Sequence, residues 1–110
     1  MSLYTPDRWV IVRITTPEEK IYKVLAGWYG GYLNGDSWKI NSGITKITRH
    51  EDHVDLDGYS GSTYRCYYNS EGFSGLTGSI FESFQTDLKE TNQGTIEHIA
   101  FDQFEREFLK

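Results

Sequence analysis

For its first seventy residues the chain alternates apolar with polar positions, and after Gly75 the period changes. Arg8-Trp-Val-Ile-Val-Arg-Ile14 is short and β-branched, which reads as a strand buried on both faces at its centre. Thr16-Pro17-Glu18-Glu19 ends it, because proline has no amide donor and the charges seek solvent. Lys20 to Tyr29 alternates, with Ile21, Lys23 and Leu25 on one face and Tyr22, Val24 and Ala26 on the other, so it pairs back as a hairpin.

Next comes a glycine-rich stretch, in which Gly27, Gly30 and Gly31 allow sharp bends and Asn34-Gly35-Asp36 signals a turn. Ser37 to Asn41 returns as a short strand with Trp38 and Ile40 on one face, and Ser42-Gly43 turns again. Ile44–His50, His53–Tyr59 and Ser62–Asn69 then form a three-strand meander across the turns Glu51-Asp52 and Ser60-Gly61. Val54, Leu56, Tyr64, Cys66 and Tyr68 take inward positions, and Arg65 and Tyr67 face the other way.

Leu76, Ile80, Phe81, Phe84 and Leu88 recur at helical spacing, with Ser74 or Thr77 to cap the start and Asn92-Gly94 past the end. Thr95 to Ala100 resembles a last strand, and Phe101, Phe104 and Phe108 lie at 0, 3 and 7 on a short acidic helix. The expected fold class is α+β: one curved antiparallel sheet of six or seven strands, with a partly closed barrel as the variant, and one main helix packed on it. The chain of 110 residues reads as a single domain in which residues 101–110 form an acidic helical tail.

Composition narrows the function. Seventeen aromatic residues imply an aromatic-rich core rather than disorder. Charge divides unevenly: residues 1–70 balance, whereas residues 71–110 hold three Lys/Arg against eight Asp/Glu and so carry the whole net −5. An acidic C-terminal third opposes phosphate backbones, so nucleic acid is not an expected partner. One cysteine, Cys66, excludes an internal disulfide framework, and no run approaches the ~20 apolar residues that span a bilayer. With no secretory leader pattern, the expected location is the cytoplasm.

Candidate chemistry is sparse. His50-Glu51-Asp52-His53-Val54-Asp55-Leu56-Asp57 gathers metal-ligand types within eight residues, and His53, Asp55 and Asp57 share one strand face. Residues two apart on a strand are nearly 7 Å apart, which strains joint coordination without a second element. Asp55-x-Asp57-Gly58 also fails as an EF-hand loop, since Gly58 at position six puts His53 first and Tyr64 last. His50, His53, Asp55 and Asp57 therefore read first as solvated hairpin charge, and a metal-dependent hydrolase there is the weaker alternative. Cys66 has core neighbours, which makes it an inert thiol rather than a nucleophile paired with His98. Phosphate-cradling and Gly-x-Ser-x-Gly patterns are absent.

Trp28, Tyr29 and Tyr32 around flexible glycines, extended by Tyr59 and Tyr67, form the remaining candidate surface for a sugar, a base or a protein. Trp38, beside Ile40, is expected in the core. The Phe101/Phe104/Phe108 stripe either packs on its own domain or faces a partner.

The runs Tyr22 to Tyr32 (YKVLAGWYGGY), Gly35 to Ile44 (GDSWKINSGI) and Gly58 to Tyr64 (GYSGSTY) resemble small uncharacterised proteins of marine cyanophages and related environmental sequences. The resemblance covers roughly residues 9–90 and carries over no activity or site residue; it implies an accessory protein acting in an infected bacterial cytoplasm, or a minor virion part. The expectation is a non-enzymatic interaction module without a cofactor, bound to a protein partner or to copies of itself, with a small-ligand binder as the alternative.

Overall fold

A computed structural model describes residues 2–31 and 35–110. Among these described residues, eight strands and two α-helices follow in the order β1 (Leu3–Tyr4), β2 (Arg8–Thr15), β3 (Lys20–Gly31), β4 (Gly35–Ile40), β5 (Ile44–Arg49), β6 (His53–Gly58), β7 (Thr63–Tyr67), α1 (Gly75–Thr91), β8 (Thr95–Ile99) and α2 (Phe101–Phe108). The fold is α+β and mostly antiparallel, as its alternation implies. The strands divide, however, into two four-stranded sheets, β1-β7-β6-β5 and β4-β3-β2-β8, and neither closes into a barrel. The chain changes sheet at Asn41-Ser42-Gly43. Buried Asn41 accepts the Val24 amide on its Oδ1 and donates its own amide to the Val24 carbonyl, which ends β4 against β3.

One strand belongs to two cores. From β2, Trp9 and Ile11 enter the space between the sheets with Val24, Ala26, Ile44, Val54, Leu56, Tyr64, Cys66 and Ile99. Val10 and Val12 face the other way, where with Leu25 and Ile96 they meet Phe73, Ile80, Phe81, Phe84 and Leu88 beneath α1. All four central residues of β2 are fully buried, which is why that segment reads as continuously apolar.

Ser74 and Thr77 exchange the reciprocal bonds of a capping box at the start of α1, and Asn92 ends it in the left-handed conformation. Gly27 is not a bend but a point of close approach: a Cβ there would lie 2.9 Å from Ser74 Oγ and 2.9 Å from Thr77 Cγ2. The helix start therefore rests directly on β3. The bend falls later, where the β3–β4 register shifts between Trp28 and Gly31 around Gly30 at φ 64°.

One local expectation fails, and one strand is unexpected. The strand expected over Ser62–Asn69 stops at Tyr67, and Tyr68–Ser70 turns as a 3₁₀ segment. β1, which pairs parallel to β7 through Leu3 and Tyr4, carries too few residues to show a period.

Candidate functional site

The aromatic residues of the glycine-rich stretch separate. Trp28 turns inward against the inter-sheet core, donates its indole N–H to the Thr5 carbonyl at 3.0 Å and meets Tyr4 edge-on. Tyr29 stays outside at 51% exposure, its amide held by Asp7. Tyr32 lies outside the described residues. Trp38, expected in the core, is 38% exposed, with one edge against Phe84 of α1. The reason is its strand: β4 is the last in its sheet, so its side chains have a neighbour on one flank only.

Tyr59 is 77% exposed, its ring over Gly43, and Tyr67 lies against His53 on the outer face of the other sheet. No single platform joins these tyrosines to Tyr29.

The backbone of β4 faces both ways. Asn41 donates its amide to Val24, and alternate residues point their amides the same way, so Lys39 and Ser37 turn theirs to β3. Asp36, Trp38 and Ile40 turn theirs to the open side, where no further strand pairs. Every residue from Gly35 to Lys39 is exposed. Lys39 leans over the Tyr4 ring at 5.2 Å on one face, while Trp38 covers Phe84 on the other.

The β5–β6 turn makes the second grouping. His50 leaves β5 and folds over β6, so that the His50 and His53 rings stack with centroids 4.5 Å apart and planes at 18°. Asp55 lies beneath both, its Oδ2 3.6 Å from His50 Nε2 and its Oδ1 3.8 Å from His53 Nε2. Arg65 on β7 clamps the same carboxylate with bonds of 3.0 and 3.2 Å. Burial works to raise the Asp55 carboxyl, but the guanidinium outweighs it and holds the group below its ordinary value. The bond from His53 likewise lowers Asp52, which sits 2.6 Å from His53 Nδ1.

His50 supplies the second element that His53 and Asp55 lack on their strand. Asp57 does not join them, because its carboxylate takes the Thr63 hydroxyl at 2.6 Å instead. Arg65 is the member that the sequence pattern did not single out; its cross-strand register with Asp55 is the only signal, and it depends on the pairing of β6 with β7.

The phenylalanine stripe packs inward. Phe101 and Phe104 are buried and Phe108 is half-buried, in a ring cluster with Trp9 and Tyr22, so α2 is spent on its own domain and the stripe is not an open partner surface. Cys66 is fully buried between the sheets, and burial pushes its thiol up. His98 is exposed, its ring edge-on to Phe73 on the other side of its sheet from Cys66, so the two do not pair.

No protein-family model, no curated protein and no solved structure matches the chain. Among the described residues, no helix is long and apolar enough to cross a membrane.

Proposed function

We propose that the protein is a non-enzymatic interaction module that pairs with a second copy of itself through the open edge of β4. The observation that supports this reading is the outward set of backbone groups on Asp36, Trp38 and Ile40, borne on an exposed strand with a large aromatic at its centre. The other edges are better protected. β1 has two residues, β5 carries a bulge near Lys46, and β8 bears Glu97 and His98.

A two-fold axis perpendicular to the sheet at Trp38 sets Trp38 opposite its copy and Asp36 opposite Ile40 of the second chain, each pair exchanging backbone hydrogen bonds. No like charges then face one another, and the indole pair adds roughly 0.2–1 kcal/mol beyond the ladder. Such an interface is small, below roughly 1,200 Å², so association is weak and concentration-dependent. Cys66, single and buried, suits a reducing compartment. Together with the resemblance to phage proteins, this makes an infected bacterial cytoplasm the setting of the proposal.

Sedimentation equilibrium up to about 1 mM chain tests it. The expected mass rises from 12.7 kDa toward twice that value. Trp38→Pro removes an outward donor while leaving the bonds to β3, and is expected to hold the mass at one chain. A wild-type chain that stays monomeric throughout, or a proline variant that associates equally well, rejects the proposal.

A further inference from the structure

On the opposite face of the molecule from β4's sheet, the outer face of β5-β6-β7 is polar, and His50, His53, Asp55 and Arg65 converge on one point of it. We propose that His50, His53 and Asp55 form a binding site for one divalent transition-metal ion of the zinc class, independent of any pairing through β4. The ligand atoms of the three residues all lie within 4.8 Å of one another.

The separations approach those around such an ion. Two ligands about 2.0–2.2 Å from a tetrahedral zinc ion stand roughly 3.3–3.5 Å from each other. Asp55 Oδ2 and His50 Nε2 are 3.6 Å apart, and Asp55 Oδ1 and His53 Nε2 3.8 Å; with one atom taken from each residue the three span at most 4.8 Å, so they close on one ion by contracting by up to about 1.5 Å. As they stand, both contacts exceed hydrogen-bond length, and the two ring nitrogens face the carboxylate without bonding it.

The surroundings also have the form of a metal site's outer shell. Asp52 holds His53 Nδ1 at 2.6 Å, which puts the ring proton on Nδ1 and leaves Nε2, 3.8 Å from Asp55 Oδ1, with its lone pair free. Arg65 fixes the Asp55 carboxylate through one lone pair on each oxygen, and a carboxylate has about four such sites, so one remains on each oxygen for an ion. The guanidinium charge opposes a dication and sets the affinity below that of a closed four-ligand site.

One movement is required. Nearly parallel rings hold their lone pairs in parallel planes, so His50 must swing its ring for both nitrogens to meet one ion. His50 lies just past the end of β5, with 45% of its side chain exposed. Three protein ligands leave the fourth tetrahedral position to water.

Calorimetric titration of the purified chain with zinc chloride reads the site directly. The expected result is one zinc per chain, with affinity at least roughly tenfold weaker in His50→Ala and in His53→Ala. His98→Ala, which removes the remaining histidine on β8, is expected to bind as the wild type does. Cobalt bound to the wild type is expected to show the intense visible absorption of a four-coordinate site, and His50→Ala to lose it. His50 is an exposed turn residue, so its variant folds and decides the matter. No zinc uptake by the wild type at about 1 mM, or equal uptake by His50→Ala, overturns the proposal.

Discussion

Arg13 on β2 donates to both carboxylate oxygens of Glu107 on α2, at 2.9 and 2.8 Å, across 94 residues of sequence. Arg13 also reaches Glu97 on β8 at 3.0 Å, while Tyr22 and Gln103 donate to Glu107 at 2.7 and 3.0 Å. Tyr22, Arg13 and Glu97 stand in cross-strand register on β3, β2 and β8, so one carboxylate from the last helix bonds two strands and Arg13 carries the tie on to the third.

The hydroxyl of Tyr22, then Gln103 and Arg13, hold the Glu107 carboxyl down at about 2. A depressed carboxyl contributes stability that is complete above its unfolded value and lost as pH falls through the folded one. Thermal melts of the wild type should therefore drop between about pH 4.5 and pH 2, with a flatter profile in Glu107→Gln. At neutral pH that variant should lose about 1–2 kcal/mol, or several degrees of Tm. An identical pH profile for the two proteins would show that Glu107 is not held as described.

Tyr22 itself is pushed up to about 12, first by burial and then by the bond to Glu107, and burial lifts Tyr64 to about 12 as well. A raised phenol contributes stability that is present below its unfolded value and lost as pH rises through the folded one. Difference absorption at phenolate wavelengths should find Tyr22 and Tyr64 ionising near pH 12 or only with unfolding. Replacement of Tyr22 by Phe should remove one of them.

Phe104 and Tyr59 separate core from surface. Phe104 is fully buried, and Phe104→Ala should lower stability by about 3–5 kcal/mol in denaturant titration. Tyr59→Ala should change it by less than about 0.5 kcal/mol, since most of that ring is in solvent. A small loss at Phe104 would mean that α2 does not pack as found.

Gly94 and Gly78 make a matched pair. Gly94 has φ 155°, and a Cβ there would collide with the backbone carbonyl of Thr15, so Gly94→Ala should cost more than about 2 kcal/mol. Gly78 lies in α1 with open space beside it, and Gly78→Ala should raise stability by about 0.5–1 kcal/mol. Melting both variants beside the wild type reads the opposite signs directly.

Much of the architecture is a local property of the chain. Alternation along Lys20–Ala26 and Val54–Cys66 places each side chain on its face, because the pleat repeats every two residues whatever the strand pairs with. Leu76 to Leu88 marks α1, and Ser74, Thr77 and Asn92 mark its ends, because capping groups bond only to nearby backbone. The buried run Trp9–Val12 likewise announces a strand covered on both sides. All of this sequence alone determines.

Which strand neighbours which is decided by contacts far apart in the chain. Local pattern does not tell one curved sheet from two packed sheets, because an inward residue alternates identically in either. Trp38 has the apolarity of a core residue and lies at an edge because β4 has one neighbour. Phe101 and Phe104 have the spacing of an amphipathic helix, and only the space beside Trp9 and Tyr22 turns them inward. Asp55 meets Arg65 and both histidines through the β6–β7 register and the fold of one turn, and a carboxylate's surroundings are set by distance in space, not by position along the sequence.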